Sequence, residues 1–245
     1  MTKQEWLENV EFIAHLSSVT DVAESAIDAV KRGRGWSLLR LGDGEMQLFQ
    51  SLKAGFPGGV VKDAKDGSPG RWKNRFMPNV HWEEAAKSLL AAIPRATFLG
   101  LPYAAYWKPG QMGVQDVLAG YGIDWKGLRL TGTALPQILC ARPDLMRHMS
   151  GNVKVGLAYR HVDIGRDAFL KAKLPLHEQF KYEGQPHSEV VEFFQSKRCD
   201  LVWMCGGPYG KACCVELADA GMVAVDIGQG IEKSLVKGKV SAYHA

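Results

Sequence analysis

Short apolar runs alternate along this chain with segments whose apolar residues recur at helical spacing, and that alternation is its main structural signal. Over residues 4–31, Trp6, Val10, Ile13 and Leu16, then Val22, Ala26, Ile27 and Val30, follow a helical repeat with a break at Ser17 and Ser18. Two helices are expected in this N-terminal segment, 1–33, with Thr20 or Asp21 capping the second. "WSLLRL" follows as a buried strand, "GDGE" as its exit, and "EMQLFQSLKAG" as a helix that stops at Gly55. Residues 56–79 are dense in Gly, Pro, Lys and Arg with little periodicity, and read as a long, mobile surface loop. Beyond it come a helix from His81 to Ala92, a strand in "ATFLGLP" and a helical stretch near Gln111 to Ala119. "LRLTGTALPQILCARPDLMRHM" reads as strand to helix and "NVKVGLAY" as a strand. The last third gives a helix in "SEVVEFFQSK", a strand in "CDLVWMCGGPYG" that runs into a Gly/Pro loop, a helix in "KACCVELADAG" and a strand in "MVAVDIG". Apolar strands alternating with helices predict a single α/β domain over 1–245, a mostly parallel, Rossmann-like sheet flanked by helices. Ligands in such folds bind beyond the carboxyl ends of the strands.

Composition supports a folded, soluble chain, since 46% of its 245 residues are apolar and 23% charged, enough for a sizeable core. No run of about 18 apolar residues occurs, so no membrane span is expected. The start, "MTKQEWLENVEFIAHL", carries acidic residues and lacks a small-residue cleavage site, so the expected compartment is the cytoplasm. The five cysteines form no paired CxxC knuckle, and adjacent Cys213 and Cys214 are poorly placed to bridge each other, so reduced core thiols are expected. A formal net charge of +4 suits anionic partners such as nucleotides without implying nucleic acid.

The candidate chemistry starts where "WSLLRLGDGEMQLF" runs out of its strand into Arg40, Asp43 and Glu45. In an extended segment residues i and i+2 project to the same side about 7 Å apart, so Asp43 and Glu45 would converge on one cation, with Gly42 and Gly44 permitting the turn. Carboxylates without His or Cys neighbours suit Mg²⁺ or Mn²⁺, ions that also take oxygens from nucleotide phosphates. Arg40 would contact a phosphate or sugar oxygen, or hold one of the carboxylates. The bland alternative is that both acids serve the positive end of the helix that starts near Glu45.

The string "RLGDGE", Arg40 to Glu45, resembles the signature R-[aromatic or aliphatic]-G-D-G-E of the GT-D glycosyltransferases. "GGPYGKACCVELADAGMVAVDIGQ", Gly206 to Gln229, is similar to that family's C-terminal block, in the expected order along the chain. Tyr209 and Gly210 depart from the small or hydroxyl residues usual after Gly-Pro, and Gln229 stands where a His is common. The resemblance implies a GT-D type fold and makes Asp43 and Glu45 the metal and donor carboxylates, with Arg40 a neighbour of the donor. A loop of Gly206, Gly207 and Pro208 between strand and helix would offer backbone N–H groups to a diphosphate, with Lys211 adding charge; an ordinary turn reads equally well. Asp226, at the end of "VAVDIG", would face the same crevice or pair with a core Lys or Arg.

The resulting expectation is a metal-dependent enzyme that moves a sugar from a nucleoside diphosphate sugar, UDP-linked in the first instance, to a hydroxyl acceptor. His161, Asp163 and Asp226 are the candidate bases for the acceptor, His161 and Asp163 lying on one side of an extended "YRHVDIG". His177, His187 and Glu189 read as a solvated connection around a turn. Trp72, Phe76, Tyr106 and Trp107 would stack on a base or sugar, or simply anchor loops. The acceptor is a glycan or glycoprotein, or a modified DNA base, the last suggested by the basic loop from Gly58 to Phe76. No G-x-S-x-G elbow and no P-loop is present. The rival readings are a metal-dependent phosphohydrolase of nucleotides and a nucleotide-binding module without turnover.

Overall fold

The computed structural model describes residues 14–53, 82–101, 114–228 and 230–237. The expected loop at 56–79, the helix before Ala14, the aromatic segment around Tyr106 and Trp107, and Gln229 lie outside the described residues.

Among the described residues, seven strands form one sheet: β1 (Trp36–Arg40), β2 (Phe98–Leu101), β3 (Leu130–Gly132), β4 (Val155–Tyr159), β5 (Glu178–Lys181), β6 (Leu201–Cys205) and β7 (Val223–Asp226). Their order is β3-β2-β1-β7-β6-β4-β5 and every pairing is parallel. The interior strands are continuous apolar runs because helices cover both faces. On one face lie α2 (Asp43–Lys53), α3 (Trp82–Ala92), α4 (Val114–Ala119), α8 (His187–Ser196) and α9 (Gly207–Asp219), in a core that includes Phe49, Leu89, Phe194 and Cys213. The other face carries α1 (Val19–Lys31), α5 (Leu135–Ala141), α6 (Pro143–Ser150), α7 (Val162–Lys171) and a π-helical turn, Ile231–Val236, around Trp36, Phe169 and Trp203. Large side chains buried this completely contribute about 2 kcal/mol each to folding. The five cysteines are free thiols, four of them buried and Cys205 half-buried. No helix among the described residues is long and apolar enough to cross a membrane.

Three details differ from the pattern reading. Helix α1 is capped by Ser18 rather than Thr20 or Asp21, and Asp21 closes a capping box back onto the Ser18 N–H. The segment read as a solvated connection contains β5, an edge strand of half-exposed residues whose polar sequence "EQFK" carries no apolar run. The chain is helical from Asp43 onward, so of "GDGE" only Gly42 precedes α2 and the rest lies in its first turn, not in an extended exit.

Candidate functional site

The strand order reverses at β1: β2 and β3 continue outward on one side, while β4 to β7 fill the other. In open parallel sheets the crevice beyond such a reversal is where ligands bind. Arg40 ends β1 and Asp226 ends β7, so the two residues flank the reversal.

A buried polar cluster occupies this place, built from both sequence segments that carry the family resemblance. Lys211, from α9, is 2% exposed and reaches across under the sheet edge. Its Nζ donates to the Arg40 carbonyl oxygen at 2.8 Å and pairs with Glu45 Oε1 at 2.7 Å, with Asp226 Oδ2 at 3.6 Å. Glu45 Oε2 accepts the Gly42 N–H at 2.7 Å, and Asp226 Oδ1 accepts the Gly228 N–H at 3.0 Å. Arg40 Nε lies 3.5 Å from Asp226 Oδ2, and neither atom has a hydrogen-bond partner among the described residues. Burial raises the Glu45 carboxyl, but Lys211, Arg40 and the Gly42 N–H outweigh it and hold it below its ordinary value of 4.5. The carboxylate is therefore ionised, and two anions balance two cations.

Glycine is required beside this cluster. Gly228 has φ +46°, and a Cβ there would stand 2.1 Å from Arg40 Nη2, so the guanidinium lies flat against bare backbone. The departures at Tyr209 and Gly210 also have a packing reason. The ring of Tyr182, itself fully buried, fills the space over Gly206 and Gly210, where added Cβ atoms would approach its Cε1 to 2.5 and 3.0 Å. Tyr209 lies against His187, ring centroids 4.2 Å apart.

Several expected roles change in this geometry. Lys211 points inward, so it does not face a phosphate at the surface. Gly206, Gly207 and Pro208 form the N-cap and first turn of α9 rather than a separate loop, and Pro208 has no N–H to give. Of the two places expected for Asp226 the structure shows the second, a fully buried carboxylate beside Lys211 and Arg40, rather than one that faces an acceptor. His161 and Asp163 do not share an extended segment: His161 stands exposed at the N-cap position of α7 with no side-chain capping bond, its ring edge-on to Tyr159 at 5.6 Å, while Asp163 in the first turn pairs with Arg166 at 3.2 Å. His187 is not solvated: it is 6% exposed, with Nδ1 2.7 Å from Glu216 Oε1 and Nε2 2.9 Å from the Tyr209 carbonyl. His177 Nδ1 accepts the Val155 N–H.

Glu45 does not fit the role of a metal ligand. A divalent ion takes a carboxylate oxygen at about 2.0–2.5 Å, and both Glu45 oxygens already face N–H donors, one of them an ammonium. The side chain of Asp43 lies outside the described residues. The sequence reading missed Tyr159, whose hydroxyl donates to Glu232 Oε1 at 2.6 Å at the carboxyl end of β4. Its position at a strand end was the one signal available for it.

A family model described as a GT-D fold-like domain matches residues 17–234. No curated protein matches the sequence. A solved structure described as "The highly conserved domain of unknown function 1792 has a distinct glycosyltransferase fold" is 14% identical, with 91% of this chain and 82% of that chain covered and a TM-score of 0.49. Another, "A New Glycosyltransferase (DUF1792) from Streptococcus sanguinis", is 15% identical, with 94% and 86% covered and a TM-score of 0.48.

Proposed function

Since the chain belongs to the GT-D-like family, we propose that it is a glycosyltransferase that takes a sugar from a nucleoside diphosphate sugar, a UDP-sugar being the first donor to test. The observation that carries this reading is the Arg40–Glu45–Lys211–Asp226 cluster at the reversal of the sheet, assembled from "RLGDGE" and from the Gly206–Gln229 segment. It gives the site a rigid floor. Arg40, 16% exposed in its side chain, is the member of the cluster that reaches solvent. A guanidinium there suits bidentate contact with a diphosphate oxygen pair. Helices α2 and α9 both begin at this edge, and the positive ends of their dipoles favour an anion between them.

In the reaction, an acceptor hydroxyl oxygen bonds to the anomeric carbon while the bond from that carbon to the diphosphate oxygen breaks. The diphosphate leaves with the bonding pair, and the acceptor proton passes to a base. Arg40 and the two helix termini stabilise the charge that develops on the leaving diphosphate. His161, exposed at the carboxyl end of β4, is the side chain this reading offers as base. No step runs through a metal ion at Glu45, whose carboxylate is held by Lys211.

The experiment is release of UDP from UDP-glucose and related donors with glycan, glycoprotein and hydroxylated-DNA acceptors, at low and high salt. Transfer to one class with retention of the sugar on the acceptor supports the reading. Phosphate or nucleoside monophosphate release without acceptor would instead favour a phosphohydrolase. A DNA acceptor makes the rate fall steeply with salt, through counterion release, and a neutral glycan does not.

A further inference from the structure

We propose that the ammonium of Lys211 is the resident cation of the Glu45 carboxylate, so that this chain does not chelate a divalent ion through Glu45 and its nucleotide site is assembled without one there. The inference deepens the transferase reading, and for nucleotide binding it rests on that reading.

Three independent features point to it. The first is valence. A lysine ammonium has three N–H donors, and here two meet the Arg40 carbonyl and Glu45 Oε1 at hydrogen-bond distance while Asp226 Oδ2 stands at 3.6 Å. Glu45 Oε2 in turn accepts the Gly42 N–H, so the carboxylate is oriented toward donors of this chain and the cation on it is the ammonium. The second is burial. Lys211 is 2%, Glu45 4% and Asp226 0% exposed, and removing one member of a buried ion pair strands the other charge out of water. A metal on Glu45 would have to displace the buried Lys211 ammonium from Glu45, the Arg40 carbonyl and Asp226. The third is charge. Glu45 and Asp226 balance Lys211 and Arg40, and a divalent ion added to this set leaves an excess of two positive charges in a cluster that reaches solvent only through Arg40.

The same geometry states what removing the lysine does. Lys211→Met keeps the apolar stem and leaves one carboxylate unneutralised, with an oxygen-lined space formed by the Arg40 carbonyl, Glu45 and Asp226. Hard divalent cations favour such oxygen sets. The variant therefore gains a metal site at Glu45 where the natural chain has the ammonium.

The test is binding of Mn²⁺ alone, followed by the electron paramagnetic resonance of the free ion, to wild type, Lys211→Met and the double variant Lys211→Met/Glu45→Gln. Wild type and double variant should take up Mn²⁺ equally within twofold, and Lys211→Met at least tenfold more tightly than either. Wild type binding Mn²⁺ at least tenfold more tightly than the double variant overturns the proposal, because Glu45 must then release Lys211 for the metal. If Lys211→Met does not fold, that comparison still decides, since the double variant removes both charges of the pair together. No nucleotide enters this test, so the Mn²⁺ result stands even if the transferase reading fails. When UDP does bind, its affinity for wild type should change less than threefold between EDTA and Mn²⁺. A rise of tenfold or more that the double variant abolishes counts against the proposal.

Discussion

Gly228 shows how narrowly single residues set the site. Its φ of +46° is in the left-handed region, and an added Cβ would lie 2.1 Å from Arg40 Nη2. Gly228→Ala should cost about 1–3 kcal/mol through backbone strain and turn the guanidinium away from Asp226. A melting curve and a nucleotide titration check both effects; wild-type values in both would show that the backbone there relaxes freely. Glu45 carries a pH signature. Its carboxyl is held below its ordinary 4.5 despite burial, chiefly by Lys211 and Arg40. The unfolded chain therefore takes up the proton first as pH falls, so the stabilisation is complete above about 4.5 and is lost as pH drops through the lower folded value. Thermal melts from about pH 6 down to about pH 3 should fall more steeply for wild type than for Lys211→Met/Glu45→Gln; equal slopes would show that Glu45 does not govern stability in acid. The Arg40 end of this cluster was legible in "RLGDGE", but the Lys211 contact was not, because it joins residues 171 positions apart and no periodicity records such a pairing.

The elements repeat this contrast between local and distant information. Strands β1, β4, β6 and β7 were readable because parallel strands covered on both faces are unbroken apolar runs, as "LVWMC" and "VGLAY" show. Strand β5 was not, because an edge position lets "EQFK" stay polar, and its pairing with β4 is fixed by the sheet and not by its own pattern. The start of α2 was misplaced because Gly42 and Gly44 read as a turn, whereas the Gly42 N–H is satisfied by Glu45 and the helix begins between them. Just beyond β5, Tyr182 packs against Gly206 and Gly210 at the start of α9, and its hydroxyl has no hydrogen-bond partner among the described residues. Removing a buried hydroxyl that makes no bond recovers its desolvation cost, about 1–3 kcal/mol. Tyr182→Phe should therefore raise the melting temperature, and a fall would reveal a partner for that oxygen.

At the scale of the molecule, the reversal of a seven-stranded parallel sheet brings two distant segments to one edge, and the charged residues they carry neutralise each other there. The resulting floor is preorganised, with Arg40 its route to solvent. Donor binding should thus depend on Arg40 more than on any ion. Calorimetric titration of UDP, GDP and UDP-glucose into wild type and Arg40→Ala, each in EDTA and in Mn²⁺, tests this most directly. The expected result is that at least one nucleotide binds wild type in EDTA and binds Arg40→Ala at least tenfold more weakly. Binding unaffected by Arg40→Ala, or no nucleotide binding under either condition, would contradict the placement of the donor at this edge.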